Sequence, residues 1–157
     1  MNVSTLQLLG FTLILCGDEN QVVSLMRTET SPTSLHPSHT RWVMELNEYA
    51  QGIRTQFDWP IDLTHATAFQ HRVFAALQTI PFGNCETYGG VAKHINQPQA
   101  ARGVGQAVGK NPVLIVIPCH RVVAAHGLGG FSCGLDLKEK LLEHESQYKR
   151  ECLSAHF

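Results

Sequence analysis

The stretch NPVLIVIPCHRVV, residues 111–123, constrains the fold more than any other. Its first seven residues are almost wholly apolar, so they have to be buried. A short apolar run of this kind, VLIVI at 113–117, reads as a core strand. Pro118 then locks the backbone and removes a donor. Whatever packs around this run must therefore deliver Cys119, with His120 and Arg121 directly behind it, to the end of a buried segment.

The rest of the chain can supply such a core. Its 157 residues suit one compact domain, or an ordinary domain with a smaller companion. An apolar fraction of 43% with 16% charged residues is that of a globular protein and excludes a disordered one. The five cysteines are an odd number, widely spread, with no C-x-x-C. That argues against a disulfide framework or a zinc site and for a reducing compartment. The run TLQLLGFTLILC (5–16) is too short to span a bilayer and has no Lys or Arg before it. It reads as a buried strand, and the protein as intracellular.

The net charge of −1 hides an asymmetry. Residues 1–64 hold three basic and seven acidic side chains, residues 65–157 nine and six. Between Glu86 and Asp136 there is no acidic residue, whereas Lys93, Arg102, Lys110 and Arg121 all fall there. A local basic zone is compatible with nucleic acid, because phosphate contacts need local positive charge; a solvated surface is the other reading.

Patterning divides the chain at residue 64. Before it, FTLILCGDENQVVSLMRTE (11–29) has the signature of a hairpin, and TSPTSLHPS (30–38) is a loop. Trp42, Leu46, Tyr49, Ala50 and Ile53 recur at helical spacing, and FDWPIDL (57–63) is extended around Pro60. After it, Phe69, Val73, Ala76, Leu77 and Ile80 mark a helix stopped by Pro81 and Gly83. Thr87 can cap a short helix carrying Val91, Ala92 and Ile95. NQP (96–98) turns the chain into another helix, 98–109, with Pro98 in its first turn. Two short helices joined by a tight turn outline a helix-turn-helix, an outline shared by many plain packing pairs. AAHGLGGF (124–131) is a glycine-bearing loop, and Asp136 starts the last helix with Glu139 at capping-box spacing. The expected fold is α+β: a small N-terminal hairpin and helix domain, 1–64, then a mostly helical domain, 65–157, with a helix-turn-helix and an active-site strand.

Cys119 is where chemistry is expected. A thiolate is a far better nucleophile than a thiol, and a histidine can take the proton while a carboxylate orients the ring. His120 follows Cys119 directly, but neighbours in an extended segment point to opposite sides. A Cys–His link therefore needs a turn or an intervening water. Glu145 lies three and four residues after Leu142 and Leu141, on the inner face of the last helix, where a carboxylate has to be paired. It can orient His120 in a Glu–His–water–Cys relay. A buried structural cysteine and a solvent-reaching boundary glutamate are the readings that stay open.

FQHRVFAALQTIPFGNCETYGGVAKHINQPQAARGVGQAVGKNPVLIVIPCHRVVAAHGLGGFSCGLDLKEKLLEHE (69–145) strongly resembles the O6-alkylguanine-DNA alkyltransferases, the methylated-DNA–protein-cysteine methyltransferases. The resemblance implies direct, single-turnover repair: the alkyl group of O6-methylguanine, and of O4-methylthymine, moves to Cys119. It implies that His120 takes the thiol proton through a water and that Glu145 holds the imidazole. Asn111 would tie the helix-turn-helix to the active-site turn, and Tyr88 would donate to N3 of the departing guanine. The N–H of Ser132 would face O6, and the carbonyls of Cys119 and Val122 would read the exocyclic amine. Phe131 and its glycines would form a lid. Arg102 would fill the gap left by the flipped base, in the minor groove of double-stranded DNA. Ala101 and Gly105 would let the backbone approach, with Lys93 and Arg121 as further DNA contacts.

Two lid positions depart from the family pattern: Phe131 replaces a common tyrosine, and Cys133 stands where glycine is frequent. No cofactor and no metal are expected, and a monomer in the cytoplasm, at the nucleoid or nucleus, suffices. Two alternatives remain. An alkyltransferase-like protein would bind lesions without repairing them, but such proteins lack the acceptor cysteine. A helix-turn-helix regulator would leave PCHR unexplained.

Overall fold

The structure, a computed structural model, describes residues 1–29 and 32–154. Thr30 and Ser31, at the start of the expected loop, lie outside the described residues, as do 155–157 and the side chains of 150–154, Cys152 among them. The chain forms two compact units: Met1–Thr64 with Pro112–Val116, and His65–Asn111 with Ile117–Phe157. The mixed α/β class, with a small N-terminal sheet and a helical C-terminal part, is as expected. Among the described residues no helix is long and apolar enough to cross a membrane.

The first unit holds an antiparallel sheet of β1 (Asn2–Leu8), β2 (Phe11–Gly17) and β3 (Val22–Arg27), in that order. The run 5–16 is therefore two strands, not one. Leu9 and Gly10 turn the chain between them with φ of 51° and 87°, the pair of positive values that a two-residue primed turn requires. Only Gly10 marks that turn in an otherwise apolar run. Helix α1 (Thr40–Ala50) buries Trp42, Leu46 and Tyr49. Ile53, expected on the same face, is 68% exposed, because the helix has already ended and the chain turns at Gly52. The segment around Pro60 is extended and bridges Val22 through Ile61.

Residues 113–117 are buried, as expected, but they are not a strand. Val113 makes a single bridge to Leu25. The chain then turns at Ile115, whose φ is 72°, with the Val116 N–H donating to the Leu114 carbonyl at 2.7 Å. That is a γ-turn of the rare positive-φ hand, costly for a β-branched residue. An apolar run demands burial and says nothing about direction.

In the second unit, α2 (Ala68–Leu77) opens on a capping box between Thr67 and Gln70. β4 (Glu86–Thr87) leads into α3 (Tyr88–His94), capped by the Thr87 hydroxyl accepting from the Gly90 N–H. α4 (Ala101–Val108) is shorter than expected. Pro98 lies in the turn before it, because Asn96 takes a φ of 62° and delays the helix. β5 (Val122–Val123) pairs in parallel with β4. α5 (Leu135–Ser154) starts one residue earlier than expected. Asp136 thus sits inside the first turn, accepting from the Leu137 N–H, and Glu139 is an exposed helix residue rather than half of a capping box.

Candidate active site

Pro118 sets the geometry of the PCHR segment. Its φ and ψ of −80° and 63° make an inverse γ-turn, with the Cys119 N–H donating to the Ile117 carbonyl at 2.7 Å. Cys119–Arg121 then form a single 3-10 turn. The turn replaces the alternation of a strand, so Cys119, His120 and Arg121 are all buried, at 3%, 0% and 6% exposure. Asn111 braces this turn, its Nδ2 donating to the Ile117 carbonyl at 2.7 Å.

His120 Nε2 lies 2.6 Å from Glu145 Oε2 on α5. The carboxylate is shared. Arg121 donates to Oε1 at 2.8 Å and to Oε2 at 3.0 Å, and its third nitrogen donates to the Ile80 carbonyl at 2.7 Å. Burial alone would raise the Glu145 carboxyl, but the hydrogen bond from His120 and the charged fork of Arg121 hold it well below the usual carboxylate range. Burial lowers the His120 imidazole, and the Arg121 and Lys138 charges add to this against Glu145. The pair is thus a carboxylate neutralised by Arg121 and a neutral imidazole whose Nε2–H it receives. His120 Nδ1 is buried and has no hydrogen-bond partner among the described residues. It is the ring's remaining proton acceptor.

Burial pushes the Cys119 thiol up to about 11, against the pull of the Asn111 amide and the Lys138 charge. The resting site therefore holds a neutral thiol. Making the thiolate near pH 7 costs about 5 kcal/mol at this burial, so a proton acceptor matters.

Tyr88, at the start of α3, donates weakly to the Gly130 carbonyl at 3.4 Å. Burial raises its phenol, against the pull of that hydrogen bond. The glycine loop closes on the ring: a Cβ at Gly129, where φ is 75°, would lie 2.9 Å from a Tyr88 ring carbon. Phe131 and Cys133 are half-buried, Ser132 is exposed and Val122 is buried. Arg102 and Lys93 are exposed on α4 and α3, with Ala101 and Gly105 half-buried beside them.

Arg121 is not on that surface. Expected among the DNA-contacting cations, it is buried against Glu145 instead, since a carboxylate on a core face requires a cation. Lys138, missed by the sequence reading, is fully buried, its ammonium donating to the carbonyls of Val122, Leu128 and Gly130 at 2.7, 2.6 and 3.0 Å. The signal was present: Lys138 precedes Leu141 by three residues and Glu145 by seven, the spacing that placed Glu145 inside.

A family profile described as "6-O-methylguanine DNA methyltransferase, DNA binding domain" matches residues 68–147, half of the chain and every residue of this site. The chain belongs to the 6-O-methylguanine DNA methyltransferase family. Within that family it is 44% identical over 129 residues to the methylated-DNA–protein-cysteine methyltransferase of Mycolicibacterium paratuberculosis, covering 75% of this chain and 78% of that one. The enzyme of the same name from Mycobacterium bovis is 42% identical over 144 residues, 85% of each chain. The crystal structure of Mycobacterium tuberculosis OGT in complex with DNA superposes with a TM-score of 0.84 at 39% identity, covering 92% of each chain.

Proposed function

We propose that this protein repairs DNA by moving the alkyl group from O6 of guanine, or O4 of thymine, onto the sulfur of its own Cys119. The observation that carries the reading is the His120–Glu145 pair: a neutral imidazole, oriented by an ionised carboxylate, whose buried Nδ1 has no partner among the described residues, next in sequence to a buried thiol. Nδ1 takes the Cys119 proton through a water. The thiolate attacks the alkyl carbon in line, the C–O bond breaks, and the electron pair leaves on the guanine oxygen. Tyr88 donates to N3 of the departing base, and the Ser132 N–H meets O6. The carbonyls of Cys119 and Val122 recognise the exocyclic amine. A thioether is a poor leaving group, so each molecule acts once.

The substrate base reaches this buried sulfur only when flipped out of the duplex. α3 and α4, with exposed Lys93 and Arg102, form the face that approaches the minor groove, and Arg102 fills the vacated stack. We place the reaction on double-stranded DNA, with a monomer acting in the compartment that holds it.

Incubation with a duplex containing one O6-methylguanine should place a single methyl on the peptide holding Cys119, read by mass spectrometry. Cys119→Ser should leave the methyl on the DNA. Methyl loss with Cys119→Ser overturns the assignment, and tight lesion binding by the unaltered chain without transfer would make it a lesion-binding protein.

A further inference from the structure

The acceptor cysteine has a second thiol near it. Cys119 is buried, Cys133 is half-buried in the lid, and each carries its thiol. Both are tied to one anchor. The Lys138 ammonium donates to Val122, three residues after Cys119, at 2.7 Å and to Gly130, three residues before Cys133, at 3.0 Å. Both stretches also fold back on themselves. The Val122 N–H donates to the Cys119 carbonyl, and the Gly134 N–H to the Phe131 carbonyl at 3.1 Å. Neither cysteine can therefore stray far from the shared anchor, and the two sulfurs are close enough that ionising Cys133 raises the Cys119 thiol. Glycine flanks Cys133 on both sides, Gly129 with a φ of 75° and Gly134 with 101°, conformations open to glycine and costly for other residues.

We infer that Cys119 and Cys133 are a redox pair, joined by a low-molecular-weight disulfide such as that of glutathione into a bond that locks the lid over the acceptor. A disulfide needs Cα atoms within about 7 Å of each other, and the glycine hinges let the lid settle to that separation. Cys133, the more accessible thiol, reacts first. Its thiolate attacks one sulfur of the oxidant, whose S–S bond breaks and expels one thiolate. Cys119 then loses its proton and attacks the Cys133 sulfur, expelling the second. The protein gives up two protons and two electrons, and the oxidant is reduced to two thiols. In a reducing compartment such a bond is transient, undone by the thiol pool. Its effect on repair rests on the function proposed above; the bond itself does not.

The full chain, treated with glutathione disulfide, should lose two hydrogens in mass. Digestion without reductant should yield one cross-linked peptide pair holding Cys119 and Cys133. Transfer from an O6-methylguanine duplex should fall about tenfold or more against the untreated protein, because only a thiolate attacks carbon, and should return with dithiothreitol. Cys133→Ser, compared with its own untreated rate, should keep most of its transfer under the same treatment. Glutathione retained on either cysteine, no linkage, linkage of Cys119 to any other cysteine, or an equal loss in Cys133→Ser overturns the inference. Absence of transfer before any treatment is a different result: it sinks the proposed function, and the peptide map still decides the pair.

Discussion

Arg121 and Arg102 show how differently two arginines of one basic zone behave. Arg102 is exposed on α4, whereas Arg121 is 6% exposed and forked onto Glu145. Removing one partner of a buried ion pair leaves the other charged and uncompensated. Arg121→Met should therefore lower unfolding free energy by about 3 kcal/mol in a denaturant titration. Arg102→Ala should stay within about 0.5 kcal/mol of the unaltered protein and lose repair of duplex DNA instead. Equal stability of the two variants would remove the buried pair from this account. The sequence could not separate them, because a charged side chain reads as surface unless a partner is known. Helical spacing puts Glu145 on the inner face, and Lys138 obeys the same spacing. Its charge concealed it.

At the scale of elements, the Thr87 cap and the periodic faces were legible. Thr87 caps α3 as its hydroxyl dictates, and Val73, Leu77 and Val91 are buried, whereas the capping box expected at Asp136 and Glu139 does not form. Turns inside apolar runs were not. Leu9–Gly10 splits one expected strand, and Ile115 converts another into consecutive turns, because hydrophobicity carries no information about direction where periodicity is lost. The glycine loop tests the packing directly. Gly129→Ala adds a methyl against Tyr88 at a φ of 75°, so it should slow transfer about tenfold, the equivalent of 1–2 kcal/mol of backbone strain. Gly130→Ala meets nothing within 4 Å and should transfer at the normal rate. Identical rates for the two would mean that the loop does not close on the tyrosine.

For the whole molecule, the His120–Glu145 pair sets how stability varies with acidity. Glu145 and His120 are both held below their unfolded values. Each therefore contributes stability that is complete above the unfolded pKa and is lost as pH falls toward the folded one. The His120 contribution should begin to fail below about pH 6.5 and that of Glu145 below about 4.3, each proton taken up on unfolding steepening the loss to about 1.4 kcal/mol per pH unit. Denaturant titrations at pH 7.5, 6, 5 and 4 should show a decline in the first step and a steeper one in the last. A flat profile between pH 7.5 and 5 would contradict a buried neutral imidazole.

The passage of Pro112–Val116 through the first unit has a temporal consequence. The edge strand β3 takes its hydrogen bonds to Pro112 and Leu114 from a stretch made some ninety residues later. During synthesis the Val22 end of that edge can pair with Pro60 and Asp62, but the Leu25 stretch stays unpaired until residues 112–114 have been made. Those hydrogen bonds can therefore form only once the chain has been made to within a few residues of Cys119.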